Sequence, residues 1–308
     1  MTPRTDDAKK KPASSVDGFE TVPARSVDEW QPSQIELERR AFRKKQSNRS
    51  VLIGIASTLI FAAIVWVTVV NTKGWAVTQQ AFFSPEFAAK SFLDVLAGLW
   101  LNIRVLFFAS IGVAIFATLL AAVRSLRGAI FLPLRLVATG YTDLFRGLPL
   151  LIVLYLVGFG IPALRIFPVL PAEVWGTIAL IITYSAYVSE VLRAGMEAVH
   201  PSQRLAARSL GLSHAQTLRL VVFPQAIRKV TPALMNDFVS MQKDVGLISV
   251  LGAVDAIRAA QIDVSTFANF TPYVVAGLLF VILSIPVIRL TDWVTARAQR
   301  RQQIGGTV

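Results

Sequence analysis

The sequence contains no cysteine and only two histidines, His200 and His214, among its 308 residues. The first absence excludes disulfides, thiolate zinc sites, iron–sulfur clusters and a cysteine nucleophile. The second leaves no histidine-rich metal cluster, and no Ser/His/acid set gathers on one side of the hydrophobic runs, so a membrane enzyme is disfavoured. Charge is also scarce, with Asp, Glu, Lys and Arg at 16% against roughly 25% in soluble proteins. No Gly-x-x-x-x-Gly-Lys-[Ser/Thr] phosphate loop occurs, so any nucleotide chemistry belongs to another polypeptide. What the sequence has in abundance is apolar: 54% hydrophobic residues and a mean hydropathy of +0.57.

Those residues come in runs, and a helical membrane span needs roughly 20 mostly apolar residues. Val51 to Val70 meets that need without a single charge. It starts too far into the chain for a cleaved signal peptide and is expected to remain as an anchor. After a mixed segment, Asn71 to Trp100, further runs cover Val105 to Val123, about Leu144 to Leu164, Val174 to Val191, and Tyr273 to Leu290. The stretch Ile227 to Leu251 is harder, because Thr231, Asn236, Asp237, Ser240, Gln242, Lys243 and Asp244 interrupt it.

Charge placement resolves it. A formal charge of +12 would suit nucleic acid, but here the basic residues sit between and beyond the runs. Arg39, Arg40, Arg43, Lys44, Lys45 and Arg49 end a polar, proline-dotted tail. Arg124 and Arg127 follow the second run, a basic loop spans Arg193 to Lys229, and Arg297, Arg300 and Arg301 lie near the C-terminus. Basic loops favour the cytoplasmic side. Putting all of them there requires one more crossing between Lys229 and Tyr273, so Ile227 to Leu251 is read as a span or a pair of broken half-spans. The fold class expected is an all-α integral membrane protein of about six transmembrane helices with both termini cytoplasmic. Polar groups inside a span must face protein or a water-filled cavity, as glue between helices or as the lining of a pathway. The basic end of the tail orients the chain or meets lipid.

The loop from Gly195 to Pro224 carries the most local information. Pro201 suits a first helical turn, Ser202 to Leu210 continue the helix, and Gly211 supplies the left-handed residue that closes it. Ser213-His214-Ala215-Gln216 reads as a capping box for a second helix, which runs through Thr217, Leu218 and Val221 and stops near Pro224. A DNA-reading helix-turn-helix would need a third helix for which about 30 residues leave no room. A plain hairpin and a docking element for a cytoplasmic protein remain.

From about Trp100 to Arg289, the sequence resembles the polar amino-acid uptake family of ABC transporter permeases. Tyr141-Thr142-Asp143-Leu144-Phe145-Arg146-Gly147-Leu148-Pro149-Leu150 is similar to that family's Tyr-x-x-x-Phe-Arg-Gly-Thr-Pro-Leu segment. Ala186-Tyr187 with Glu190, Arg193 and Gly195 is similar to the segment leading into its cytoplasmic loop. Leu205-Ala206-Ala207, Gly211 and Phe223-Pro224 resemble its EAA loop, and Asn236, Lys243, Asp244, Leu247 and Gly252 resemble the pattern beyond. There are departures: Leu205 replaces the family Glu, Leu148 its Thr, Val245-Gly246 its Thr-Ser and Phe223 its Leu. A heterodimer partner that keeps the Glu, or an apolar contact in its place, would each account for Leu205.

Composition, hydropathy and charge placement predict a disordered cytoplasmic tail over residues 1–50, an extra transmembrane helix over 51–71 and a basic cytoplasmic tail over 296–308. The resemblance implies an importer transmembrane domain over 95–295, with the coupling loop at 195–225. It implies ATPase coupling through Leu205, Ala206, Ala207, Gly211 and Pro224, while Asp143, Arg146, Glu190, Asn236, Lys243 and Asp244 are expected along the pathway or its gate, with a structural pair at the cytoplasmic boundary the equal alternative for Arg146 and Glu190. No catalytic or metal-binding residue is expected in this chain. No cofactor is expected either, since ATP and Mg belong to the ATPase. The implied partners are a cytoplasmic ABC ATPase, an extracytoplasmic amino-acid-binding protein, a second permease subunit in a homo- or heterodimer, an amino-acid substrate and the lipid bilayer, with no nucleic acid. The rivals are an ion-coupled secondary transporter, for which no internal repeat is evident, and a signalling scaffold. Gly211→Arg should uncouple uptake from ATP hydrolysis while leaving the protein inserted, since a left-handed non-glycine residue costs roughly 1–2 kcal/mol and the side chain crowds the docking face. Normal uptake by that variant refutes the coupling role.

Overall fold

A computed structural model of the chain describes residues 33–126 and 128–304. All regular structure among them is helical. Helix α1 (Gln34–Val70) belongs to one compact unit, Met1–Thr72, and everything after it to a second, Lys73–Val308. Helix α1 is capped by Ser33, whose hydroxyl accepts from the Glu36 amide at 3.3 Å. None of its residues is buried. A helix apolar all round over Val51 to Val70 finds its burial in lipid. The helix also extends upstream through Ser50, so the basic residues Arg39 to Arg49 are helical; an apolar span provides the nucleus from which helix propagates into adjoining residues. The tail before residue 33 and Arg127 lie outside the described residues.

In the second unit, α2 (Trp75–Phe82) and α3 (Pro85–Arg124) are followed by a short 3-10 turn at Ala129–Phe131 and α4 (Leu132–Gly147). Helix α5 (Leu150–Tyr155), a π turn (Leu156–Gly160) and α6 (Ile161–Ala163) form one continuous rod, and α7 (Ala172–Glu197) leads into the loop helices α8 (Pro201–Ser209) and α9 (His214–Thr217). A second π turn (Leu218–Val222) joins α9 to α10 (Phe223–Asp244), which tightens into a 3-10 stretch, Val245–Leu251. Helices α11 (Ala256–Phe267) and α12 (Thr271–Ile304) complete the chain. Among the described residues, four helical stretches are long and apolar enough to cross a membrane: Gln34–Val70, Trp75–Arg124, Ala172–Glu197 and Thr271–Arg297. Two bent pairs raise the number to as many as six.

The bends are where the sequence runs of apolar residues misled. The run Leu144 to Leu164 is not one straight rod: α4 and α5 meet at 111°. Leu148 adopts φ −95°, ψ 135°, the extended conformation that a following proline, Pro149, imposes. The mixed segment Asn71 to Trp100, in turn, is almost wholly helical, forming α2 and the outer turns of α3. The polar stretch Ile227 to Leu251 is one arm of a broken span, His214–Leu251 meeting Ala256–Phe267 at 50°.

Helix α3 runs through all three hydrophobic clusters of the second unit. Its buried face is lined with small residues, Gly98, Ala109, Ala117 and Ala121, which let neighbouring backbones approach closely. At Gly98 the approach is absolute, since a Cβ there would lie 2.4 Å from the Asp255 carbonyl carbon and 2.5 Å from the Ala256 nitrogen. One turn on, Asn102 is fully buried and donates to Asp255 Oδ2 (2.9 Å) and to the Val245 carbonyl (3.3 Å), while its own oxygen accepts from the Ala256 amide (3.1 Å). Asp255, also fully buried, caps α11 by accepting from the Arg258 amide at 2.9 Å. The free backbone groups that a broken helix leaves inside a membrane protein are thus met by two side chains. A second clasp joins the remaining hinges: Asn269 donates to the Gln80 carbonyl (2.8 Å) and Thr271 Oγ1 accepts from the Ser84 amide (3.1 Å). Asn102→Ala should lower stability by about 2–3 kcal/mol, because buried partners are left unsatisfied. Thermal unfolding of the full chain in mild detergent measures this, and an unchanged midpoint would refute the clasp.

Candidate functional site

The loop between α7 and α10 is built from its caps outward. His200 Nδ1 accepts from the Ser202 amide at 3.3 Å and Pro201 opens α8. The helix closes in a Schellman turn, with the Leu212 amide on the Ala207 carbonyl (3.2 Å), the Gly211 amide on the Arg208 carbonyl (2.9 Å), and Gly211 at φ +83°. That φ is open to glycine and strained for other residues. The capping box of α9 is complete, since Ser213 Oγ accepts from the Gln216 amide (3.2 Å) and the Ser213 amide donates to Gln216 Oε1 (2.9 Å). One expectation differs: the helix does not stop at Pro224. It passes through the π turn Leu218–Val222 into α10, because widening the turn accommodates a proline that has no amide to donate.

Three side chains fasten this loop to the bundle. Arg204 donates to the Met196 carbonyl (2.5 Å), Lys229 to the Ala198 carbonyl (2.5 Å), and His214 Nε2 lies 3.5 Å from the Ser125 carbonyl oxygen. Ala207 is buried, and Val222 and Ala226 are buried against Leu192, Met196 and Val199. Of the five residues expected to face an ATPase, Ala207 therefore faces its own chain. Leu205, Ala206, Gly211 and Pro224 are exposed, as is Leu210, at 83%. Beside Leu205 lies a groove of about 250 Å³, walled by Pro201, Arg204, Arg208, His214 and Leu218.

Beneath the loop, Glu190 is a knot between three helices. Its carboxylate pairs with Arg124 of α3 (2.7 Å), Arg193 of α7 (2.5 Å) and Arg146 of α4 (4.0 Å), and Arg193 also pairs with Glu197. Arg124 is largely buried, with its side chain 10% exposed. Arg146 and Glu190 are thus brought together as an ion pair that ties helix ends.

The other expected pathway residues divide by face. On α10, Asn236, Ser240 and Lys243 share one exposed stripe at helical spacing. Asp244 points to α7, where its Oδ2 accepts from the Tyr184 hydroxyl at 2.7 Å. Asp143 is exposed on α4, and nearby the Tyr187 hydroxyl donates to the Arg146 carbonyl at 3.1 Å. Sequence reasoning passed over Tyr184 and the buried Asn102 and Asp255; Gln242, one of the polar groups noted on Ile227 to Leu251, is buried and accepts from Ser284 of α12 at 2.9 Å. Only the Asp255 cap, an acidic residue just ahead of a helical run, left a local signal. No convergent group of His, Cys, Asp or Glu that would hold a metal occurs among the described residues.

Bent spans, a self-capped loop under them and a polar face on α10 match a known sequence signature: residues 114–300 match the family described as "Binding-protein-dependent transport system inner membrane component". The chain belongs to this family. This permease is 32% identical over 192 residues to the "Arginine transport system permease protein ArtQ" of Bacillus subtilis, covering 61% of this chain and 85% of that protein. It is also 32% identical to the "Probable glutamine ABC transporter permease protein GlnM" of the same organism, over 58% of this chain and 82% of the relative. A solved structure described as an amino acid ABC transporter with histidines superposes with a TM-score of 0.61 at 35% identity, covering 68% of this chain and 96% of that one. A methionine ABC transporter, MetNI, shares the fold at 16% identity and a TM-score of 0.53.

The permease is accordingly a multi-pass inner-membrane subunit of an ABC importer, and ATP hydrolysis belongs to a separate component. Helix α1 lies outside the matched residues 114–300. Glu190→Gln should destabilise the permease by about 2–3 kcal/mol by leaving Arg124 unpaired. The double variant Glu190→Gln/Arg124→Met should recover most of that loss. A double variant as unstable as the single one in detergent melts would show that the pair is not what binds these helix ends.

Proposed function

We propose that this permease moves amino acids inward by alternating access, with α8 and its flanking turn seated on a separate ATPase subunit. The observation that carries the reading is the loop's division of labour. One edge of α8 is anchored by Ala207 and Arg204, and the other presents Leu205, Ala206 and Leu210 to solvent beside an open groove. An exposed leucine pair on a rigid projection needs a partner, and a helix-in-groove contact fits it. Leu205, where related permeases carry Glu, supplies an apolar contact there. ATP and Mg would be bound by the ATPase, and a binding protein would deliver cargo from outside.

The polar stripe Asn236, Ser240 and Lys243 belongs, in this reading, to the pathway face, opposite a second permease subunit. Such groups are too costly to leave in lipid. Residues 95–295 would form the transport domain, with α1 as an additional anchor. Arginine and glutamine permeases among the relatives make polar amino acids the cargo class. Depleting ATP while leaving the proton gradient intact should abolish amino-acid uptake by cells expressing the full importer. Uptake that survives would favour an ion-coupled transporter and overturn the proposal.

A further inference from the structure

We infer that the part of α1 ahead of its apolar run, Gln34 to Ser50, is a binding site for anionic phospholipid headgroups, with Arg39, Arg43 and Arg49 on its contact side. The site is independent of which cargo the importer carries. Six of the eleven residues from Arg39 to Arg49 are Lys or Arg, and the acidic residues of this part of α1 are Glu36 and Glu38. Arg40 is taken by Glu36, at 3.0 Å. Arg39, Arg43, Lys44, Lys45 and Arg49 enter no ion pair among the described residues, and all five are exposed. Like charges spaced this closely on one helix repel each other, so a counter-charge from outside stabilises it.

What supplies that charge follows from where the helix leads. It runs without a break into Val51 to Val70, so a bilayer surface lies at its end. Arg49, two residues before Val51, falls within the headgroup layer, about 5–7 Å thick on each side. Arg43 and Arg39 stand about 12 and 18 Å from Val51 along the axis, beyond that layer if the helix is upright. One side of α1, however, carries Ile35, Arg39, Phe42 and Arg49 at helical spacing, with Arg43 next to Arg39. Ile35 and Phe42 are 65% and 68% exposed. Membrane helices tilt by about 20° on average and by as much as about 40°. Tilting α1 toward this side lowers Phe42 to the acyl boundary and the arginines to the headgroups, the division of labour found in interfacial helices. Arginine stems extend along the surface to cover the remaining distance, and each guanidinium offers paired donors to phosphate oxygens. A soluble acidic partner would account for the charges alone. Lipid accounts for the charges and for the two apolar residues set among them.

The test measures how strongly the full-chain permease, in phosphatidylcholine vesicles, retains spin-labelled phosphatidylglycerol relative to spin-labelled phosphatidylcholine. Wild type should prefer the anionic lipid roughly fivefold, the scale of one basic residue at a charged membrane surface, and high salt should weaken the preference. Arg39→Gln/Arg43→Gln should bring it down to roughly twofold. Glu36→Gln, which releases Arg40 from its ion pair, should raise it. Both variants keep Lys44, Lys45 and Arg49 beside the span, so the charges that orient α1 stay in place. The wild-type comparison needs no variant to fold. A wild type without preference points to a soluble acidic partner and overturns the site. A preference that the double variant leaves intact, or that Glu36→Gln lowers, places the lipid elsewhere on the permease and overturns it as well.

Discussion

Breaking a helix inside a membrane exposes amide and carbonyl groups to a medium that cannot hydrate them. The second unit of this chain is organised around meeting that constraint at one place, where Asn102 and Asp255 close over the gap between the 3-10 end of α10 and the start of α11. With Gly98 letting the α3 backbone come against Asp255, three elements are fixed relative to one another. The polar stripe of α10, the Tyr184–Asp244 contact and the route back to α12 all take their positions from that junction. Gln242 ties α10 to α12 by a side-chain bond, accepting from the Ser284 hydroxyl.

At the opposite end of the same helices the problem is different, because the chain must leave the bundle, turn and return without losing register. There the molecule relies on charge and local caps. Glu190 gathers arginines from α3, α4 and α7, and the Schellman turn and capping box settle the backbone of the loop within its own residues. A displacement of α8 is therefore transmitted through Arg204 to the end of α7, and through the π turn directly into α10, which Lys229 also ties to Ala198. The loop and α10 are one continuous piece of backbone.

Local chemistry was readable from the sequence in proportion to how local it was. Gly211, Ser213 and Gln216 act within a few residues of themselves, and their roles emerged as expected. The family resemblance located Glu190 and Arg146 and left a pathway role and a structural pair both open, since sequence spacing does not reveal that Arg124, 66 positions away, completes their ion cluster. Asn102 and Asp255 are separated by 153 positions and nothing near either announces the other. Asn236 and Asp237 illustrate the same limit at shorter range. Consecutive residues on a helix point about 100° apart, so only the surrounding helices determine that Asn236 is exposed while Asp237 is half-buried with its Oδ2 enclosed. The bend at Leu148-Pro149 was half visible: the proline was quoted in a motif, while hydropathy smoothed straight across it.

Because α8 secures itself along its Ala207 edge and with its own caps, its outward residues owe nothing to folding. Leu205, Ala206 and Leu210 are free to drift chemically while the backbone beneath them stays in place. In the proposed docking, partner choice and foldedness become separate variables in evolution, and altering a few exposed side chains would change the enzyme that drives the permease.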